Sequence, residues 1–399
     1  MIGEVRKMGL NETPSANRLH IGFFGRRNAG KSSVVNAVTG QDLAVVSDIK
    51  GTTTDPVYKS MELLPLGPVM IIDTPGIDDS GALGELRVKK TRAILNKTDV
   101  AVLVVDANEG KSEADEELIG LFKARQLPFV VVYNKSDLRK IECGENEIAV
   151  SALKKENIRE LKEMIGRATK TDDLTKKLIA DLLRPNDVAV LVTPIDSAAP
   201  KGRMILPQQQ VIRDVLEADA MSIVVKETQL ESALKALKEP PAIVVTDSQA
   251  FEKVSAIVPR EVPLTSFSIL MARFKGTLGY AVEGARQLDR LKDGDKILIS
   301  EGCTHHRQCD DIGTVKLPRW IKNYCKKQVE FEFTSGGEFP EDLSQYALIV
   351  HCGGCMLNER EMKYRAAHAK ENGVAMTNYG IIIAYINGIL ERSIEMLDI

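Results

Sequence analysis

Two groups of residues in this chain have the types and spacing to do chemistry. The first begins at Gly25-Arg-Arg-Asn-Ala-Gly30-Lys31-Ser32, which fits the phosphate-loop pattern G-x-x-x-x-G-K-S/T. Such a loop turns its backbone N–H groups onto the β-phosphate of a nucleotide, at the positive end of the helix that follows. Lys31 is placed to reach the β- and γ-phosphates and the Ser32 hydroxyl to coordinate Mg²⁺, with Asn28, Ala29, Gly30 and Ser33 completing the cradle. Asp73-Thr-Pro-Gly76 offers a carboxylate to the Mg²⁺ shell and the Gly76 N–H to the γ-phosphate. In Asn134-Lys135-Ser136-Asp137, the last carboxylate can accept both N1–H and N2–H₂ of guanine, a donor pair that adenine lacks. Ser151-Ala152 stands where a loop closes over the guanine ring. Four motifs in this order point to a GTP/GDP site.

The second group is Cys303-Thr-His305-His306 together with His351-Cys352-Gly-Gly-Cys355. Three thiolates favour a soft metal, either Zn²⁺ or an iron–sulfur cluster, and spacing alone does not separate the two. His305 or His351 is the candidate fourth ligand, with His306 a neighbour. The two glycines between Cys352 and Cys355 free the backbone to wrap closely round an ion or cluster. Cys309 and Cys325 are spare thiols, and Cys143 is a lone small residue.

The elements that must carry these residues alternate between short β-branched runs and charged helical segments, which predicts an α/β fold. In the first unit the strands are Ile21–Phe24, Val69–Ile72, Val100–Val105 and Phe129–Tyr133, with an amphipathic segment at Glu85–Leu95. That alternation predicts a parallel sheet covered by helices on both faces. The phosphate loop then follows one strand and opens a helix, while Asp73 and Asn134 each end another. After Arg167 a stretch rich in lysine and threonine reads as a connector. A smaller α/β unit follows, with strands Asp187–Thr193, Ser222–Val225, Ala242–Thr246 and Val262–Thr265. The last unit has strands Lys296–Ser300, Val329–Phe333 and Tyr346–Val350. Cys303 and His351-Cys352 each follow one of its strands, at the carboxyl edge where α/β sheets bind ligands. The dense charges of Arg360–Lys370 read as a solvated helix face. The expected division is residues 1–170, 171–265 and 266–399.

The chain has 399 residues, 44% hydrophobic and 27% charged, the balance of a soluble globular protein. Its 53 Lys and Arg against 56 Asp and Glu give a net charge of −3, so bulk electrostatics argue against nucleic-acid binding. No run approaches the roughly 18 apolar residues of a membrane span. The N-terminus lacks the apolar core of a signal peptide, so the expected compartment is the cytosol, where thiols stay reduced.

From Leu19 to Arg167 the chain resembles the translation-factor-related GTPases. Asn28 matches the phosphate-loop asparagine of the potassium-dependent members, which implies a K⁺ ligand. Ile77 stands where Ras-like enzymes carry a water-positioning glutamine, so a bound cation would have to stabilise the developing charge. Arg26 and Arg27, in the loop itself, read as solvated or structural. The resemblance sets the first switch at Asp48–Pro56, with Thr53 as a second Mg²⁺ ligand. Thr54 replaces the arginine of the tRNA-modification and ribosome-assembly relatives.

Taken whole, the chain resembles the HydF family of [FeFe]-hydrogenase maturation GTPases. The resemblance implies a P-loop GTPase domain, a smaller α/β dimerisation domain and a C-terminal α/β cluster domain. It also implies a [4Fe-4S] cluster on Cys303, Cys352 and Cys355, its fourth position labile with His305 or His351 nearby. Such a scaffold takes a di-iron precursor from two radical-SAM maturases and passes it to the hydrogenase apoprotein, as a homodimer or higher oligomer. The alternative is a ribosome- or tRNA-associated potassium-dependent GTPase with a zinc-binding C-terminal domain. The lack of a basic RNA-binding extension counts against it.

Overall fold

The computed structural model describes residues 13–41, 56–76, 91–169, 177–195, 204–302 and 311–397. The chain divides into two compact units, Met1–Leu174 and Thr175–Ile399.

In the first unit the strands are β1 (Leu19–Phe24), β2 (Val57–Leu63), β3 (Gly67–Asp73), β4 (Val100–Asp106), β5 (Phe129–Asn134) and β6 (Glu147–Val150). They form one sheet in the order β2-β3-β1-β4-β5-β6. All neighbours run parallel except β2, which lies antiparallel on β3. The expected parallel sheet therefore gains an antiparallel edge strand. Periodicity missed β2 because it is half exposed, with Val57 and Tyr58 facing out. Strand β4 is buried on both faces: Val100, Val102 and Val104 join one core while Ala101, Leu103 and Val105 join the other. The helices Lys31–Thr39 and Ile158–Ala168 cover the first face and Glu113–Ala124 the second. Ser112 starts the last of these through a reciprocal capping box with Asp115. Of Glu85–Leu95 only residues 91–95 are described, and they are helical.

The second unit holds two four-stranded sheets, both wholly parallel. One contains β7 (Val188–Val192), β8 (Met221–Val225), β9 (Ile243–Thr246) and β10 (Leu264–Ser266) in the order β10-β9-β7-β8. The other contains β11 (Lys296–Glu301), β12 (Glu330–Ser335), β13 (Tyr346–His351) and β14 (Ala375–Asn378) in the order β12-β11-β13-β14. Val190 and Val244 of one sheet and Ile297 and Val350 of the other belong to a single hydrophobic core, filled between by the helices Phe267–Phe274 and Tyr379–Ile386. The middle and last units expected from the sequence thus share one interior. Strand runs directly into helix at Ser266 and at Asn378, whose side chains accept the N–H groups of Ile269 and Ile381 as N-caps. Among the described residues no helix is long and apolar enough to cross a membrane.

The helix Leu278–Ala285 packs directly on β14, and a Cβ added at Gly284 would fall on the carbonyl of Met376. Gly284→Ala is therefore expected to destabilise the second unit by about 1–3 kcal/mol, read as a lower denaturation midpoint.

Candidate functional site

The nucleotide site is assembled at the carboxyl edge of the first sheet. Register aligns Phe23 with Asp73 and Asn134 with both Asp106 and Val150, so the motif residues leave neighbouring strand ends together. Gly30 caps the helix Lys31–Thr39 with φ +82°, and a Cβ there would collide with the Asn134 amide. Only glycine meets both demands. Asn134 ties three loops: its Nδ2 donates to the Ala29 carbonyl at 3.1 Å, and its Oδ1 accepts the Ala152 N–H at 3.1 Å. Lys135 Nζ bridges the Asn28 carbonyl at 3.0 Å and Asp106 Oδ2 at 2.6 Å. The Asn28 main-chain oxygen is thereby tied to Lys135.

Asp73 is held by Ser32, whose Oγ donates to Oδ2 at 3.2 Å, while Lys31 Nζ stands 3.7 Å from Oδ1. That buried Oδ1 has no hydrogen-bond partner among the described residues. Burial pushes the Asp73 carboxyl up, against the pull of Lys31 and Ser32. A carboxylate oxygen and a hydroxyl so placed fit a hard cation such as Mg²⁺. Gly76 lies against Arg27 of the phosphate loop. Asp137 is largely buried, with Lys154 Nζ 3.9 Å from its Oδ2. Ser151 is fully buried and its Oγ accepts the Lys154 N–H. Arg26 is turned away into ion pairs with Glu109 at 2.9 Å and Asp115 at 3.3 Å, which makes it structural. Thr53, the rest of Asp48–Asp55, and Ile77 lie outside the described residues.

The thiol site lies at the carboxyl edge of the last sheet, where β11 and β13 pair with Ser300 opposite His351. Cys352 Sγ accepts the N–H of Gly302 at 3.1 Å and that of Gly354 at 3.4 Å. Gly354 sits at φ +61° with Met362 where a Cβ would go, so the turn between the two cysteines requires glycine. Burial pushes the Cys352 thiol up to about 11 and raises Cys355 as well, although Lys275 pulls the latter down. A buried thiol becomes a ligand only when a cation offsets that desolvation. Sulfur donors reinforced by backbone N–H groups fit a soft centre. Cys303, His305, His306 and Cys309 lie outside the described residues. Among the described residues no three His, Cys, Asp or Glu side chains gather round a metal position.

His351 bears on one expectation, that of a fourth ligand. Arg365 Nη1 donates to its Nε2 at 3.0 Å, so Nδ1 carries the proton and donates to the Cys352 carbonyl at 2.8 Å. Both nitrogens are used, and no lone pair remains for a metal. Strand geometry gives the reason. Successive side chains point to opposite faces. Ile349 packs in the core under the helix Glu359–Glu371, whereas Val350 and Cys352 belong to the shared core. His351 shares the Ile349 side, toward Arg365. Burial, then Arg365, pushes this imidazole down to about 3, so it stays neutral.

Arg365 corrects another. The helix Glu359–Glu371 is not a uniformly solvated face, because Arg365 is 0% exposed and Glu361 4%. Glu361 Oε1 accepts Arg365 Nε at 3.0 Å and Nη2 at 2.9 Å, and the Gly336 carbonyl accepts Nη2 at 3.1 Å. The sequence hid a third residue, Lys275, whose Nζ donates to the Gly354 carbonyl at 2.7 Å and to that of Leu357. It follows the apolar helix Phe267–Phe274 and belongs to no motif, yet it is 2% exposed.

The phosphate loop, guanine-reading motif and sheet order make the first unit a P-loop GTPase domain, and residues 20–135 match the model of the 50S ribosome-binding GTPase family. Residues 178–276 match the hydrogen maturase F dimerization domain and 279–396 the hydrogen maturase F tetramerization domain. The chain belongs to the HydF family of hydrogenase-maturation GTPases and carries its oligomerisation domains. It is 38% identical over 141 residues to the GTPase Der of Wolinella succinogenes, covering 35% of this chain and 29% of that protein. It is 35% identical over 153 residues to the tRNA modification GTPase MnmE of Clostridioides difficile, covering 36% and 33%. The chain thus spans a third or less of the length of these curated relatives. Among solved structures, Era of Aquifex aeolicus bound to GDP and aluminium fluoride is similar with a TM-score of 0.33 and 21% identity. That match covers 52% of this chain and 93% of Era.

Arg365→Met leaves Glu361 buried without its cation. The expected loss is about 3–5 kcal/mol in the denaturation free energy of the second unit.

Proposed function

We propose that the chain is a GTP-hydrolysing scaffold that binds a [4Fe-4S] cluster and delivers a di-iron precursor to an [FeFe]-hydrogenase apoprotein. The observation that carries this reading is a buried sulfur, Cys352 Sγ, accepting N–H groups from Gly302 and Gly354 in a chain of HydF domains. Cys303, one residue beyond Gly302, joins Cys352 and Cys355 as the third thiolate. When bound, the cluster supplies an iron with an exchangeable position for cargo. His351 orients the loop through the Cys352 carbonyl, and the fourth position stays exchangeable with a histidine, His305 or His351, nearby.

In the GTPase domain, Asp137 selects guanine while Lys31 and the loop N–H groups of Asn28 to Ser33 hold the phosphates. Thr53 and Gly76 close on the γ-phosphate. Ser32, Thr53 and Asp73 would hold Mg²⁺ and the Asn28 side chain K⁺, both adding positive charge beside the phosphates. GTP and GDP bias the two switch segments between ordered and loose arrangements, and so favour docking or release of partners. Those partners are two radical-SAM maturases and the hydrogenase apoprotein, met in the cytosol by a homodimer or higher oligomer.

Anaerobic reconstitution with iron and sulfide is expected to give a brown protein with an EPR signal after reduction. Cys352→Ser should lose that signal and keep GTP turnover, whereas Lys31→Ala should do the reverse. A colourless protein that takes up only zinc would overturn the scaffold reading in favour of a zinc-bearing GTPase. Turnover should be faster in K⁺ than in Na⁺. Asp137→Asn should cut the preference for guanine by on the order of 100-fold or more, measured by competition with ATP and with xanthosine triphosphate.

A further inference from the structure

Lys275 is buried beneath the loop that carries Cys352 and Cys355, and lysine is almost never buried without a charged partner. Its hydrogen-bond acceptors here are neutral, the carbonyls of Gly354 and Leu357. The groups near it that can carry negative charge are the Cys355 and Cys352 thiols and Glu359; Lys275 and Cys352 line one cavity, and the Glu359 carboxylate is already paired with Lys363. No carboxylate among the described residues forms an ion pair with Lys275. An ammonium taken out of water without a counter-charge is costly, and the charge best placed to offset it lies on the two sulfurs. The same contacts shape the loop. Drawing the Gly354 carbonyl toward Nζ accompanies a Gly354 N–H aimed at Cys352 Sγ.

We infer that Lys275 is a positioning residue of the thiolate site: its ammonium is the counter-charge for the anion held by Cys352 and Cys355, and it raises the reduction potential of the bound cluster. Three thiolates leave an oxidised [4Fe-4S] cluster anionic, and one-electron reduction adds a further negative charge. A fixed cation in a low-dielectric setting stabilises the reduced form more than the oxidised one. Arg365 does not share this role, because Glu361 already balances it.

The inference rests on the cluster reading, so reconstituted wild-type chain is the control: if it binds no cluster, that reading itself fails. In the full-length chain, Lys275→Gln keeps an N–H donor and drops the charge, whereas Lys275→Arg keeps the charge. Circular dichroism reports folding, iron analysis reports loading, and EPR-monitored dithionite titration reports the potential. The expected result for Lys275→Gln is a potential more negative by about 59 mV or more, equivalent to tenfold in the oxidised-to-reduced ratio. Lys275→Arg should lie closer to wild type. A folded Gln variant that loads no cluster while the Arg variant loads it also supports the inference. A Gln variant loaded to the wild-type level with an unchanged potential would overturn it. So would loss of loading, or of folding, in both variants, since that assigns Lys275 to loop shape alone.

Discussion

The parallel pairing of β11 with β13, with Ser300 opposite His351, is the constraint on which the thiol site depends. Parallel strands send their carboxyl ends to the same edge, so chain segments far apart in sequence leave the sheet side by side. The Gly302 N–H can then reach Cys352 Sγ. The pairing also divides labour between adjacent residues. A slip of one residue would exchange faces along β13, turning His351 toward the shared core and Cys352 toward Arg365. The register therefore decides which of two neighbours supplies a donor atom and which holds the loop.

The first unit meets the same constraint differently. Its sheet is apolar on both faces through β4, so polar groups find room only at strand ends. Asn134 stands at such an end and is almost wholly occupied by the protein itself, binding the phosphate loop on one side and Ala152 on the other. Lys135 likewise serves Asn28 and Asp106. Of that motif, Asp137 is not tied to the phosphate loop or to Asp106, and it is the one proposed to read the base. Most of a nucleotide-binding sequence here works to hold loops in mutual register, and a smaller part touches the ligand.

Much of this was legible because it depends on local order. Buried parallel strands are continuous apolar runs, and the phosphate loop, the aspartate of Asp73-Thr-Pro-Gly76 and Asn134-Lys135-Ser136-Asp137 follow them at fixed places. What escaped was decided by tertiary partners. Strand β2 gives no burial signal because one side of it faces solvent. Arg365 sits among charges on a half-buried helix, and its place against His351 and Gly336 from other segments is not readable from local pattern. Lys275 ends an apolar helix, and no local feature distinguishes it from the solvated lysines common at such ends. His351 and Cys352 adjoin in sequence, so a ligand pattern reads them together. The two-residue period of the strand separates them.

Two cations lie buried around this one loop, and their surroundings differ in kind. Arg365 is held in a closed set: Glu361 neutralises it, and Gly336, His351 and Ser300 take its remaining N–H groups. Its planar fork suits such a fixed arrangement, and the set needs nothing from outside the chain. Lys275 is held by carbonyl dipoles that orient an ammonium without cancelling its charge. Cancelling it would require an anion, and the groups beside it are thiols that burial keeps protonated. Each side therefore lacks what the other could supply only in part: the sulfurs need more positive charge than one ammonium to ionise, and the ammonium needs them ionised. A cluster of the kind proposed above would meet both demands, since it would ionise the sulfurs and leave an anionic assembly beside Lys275.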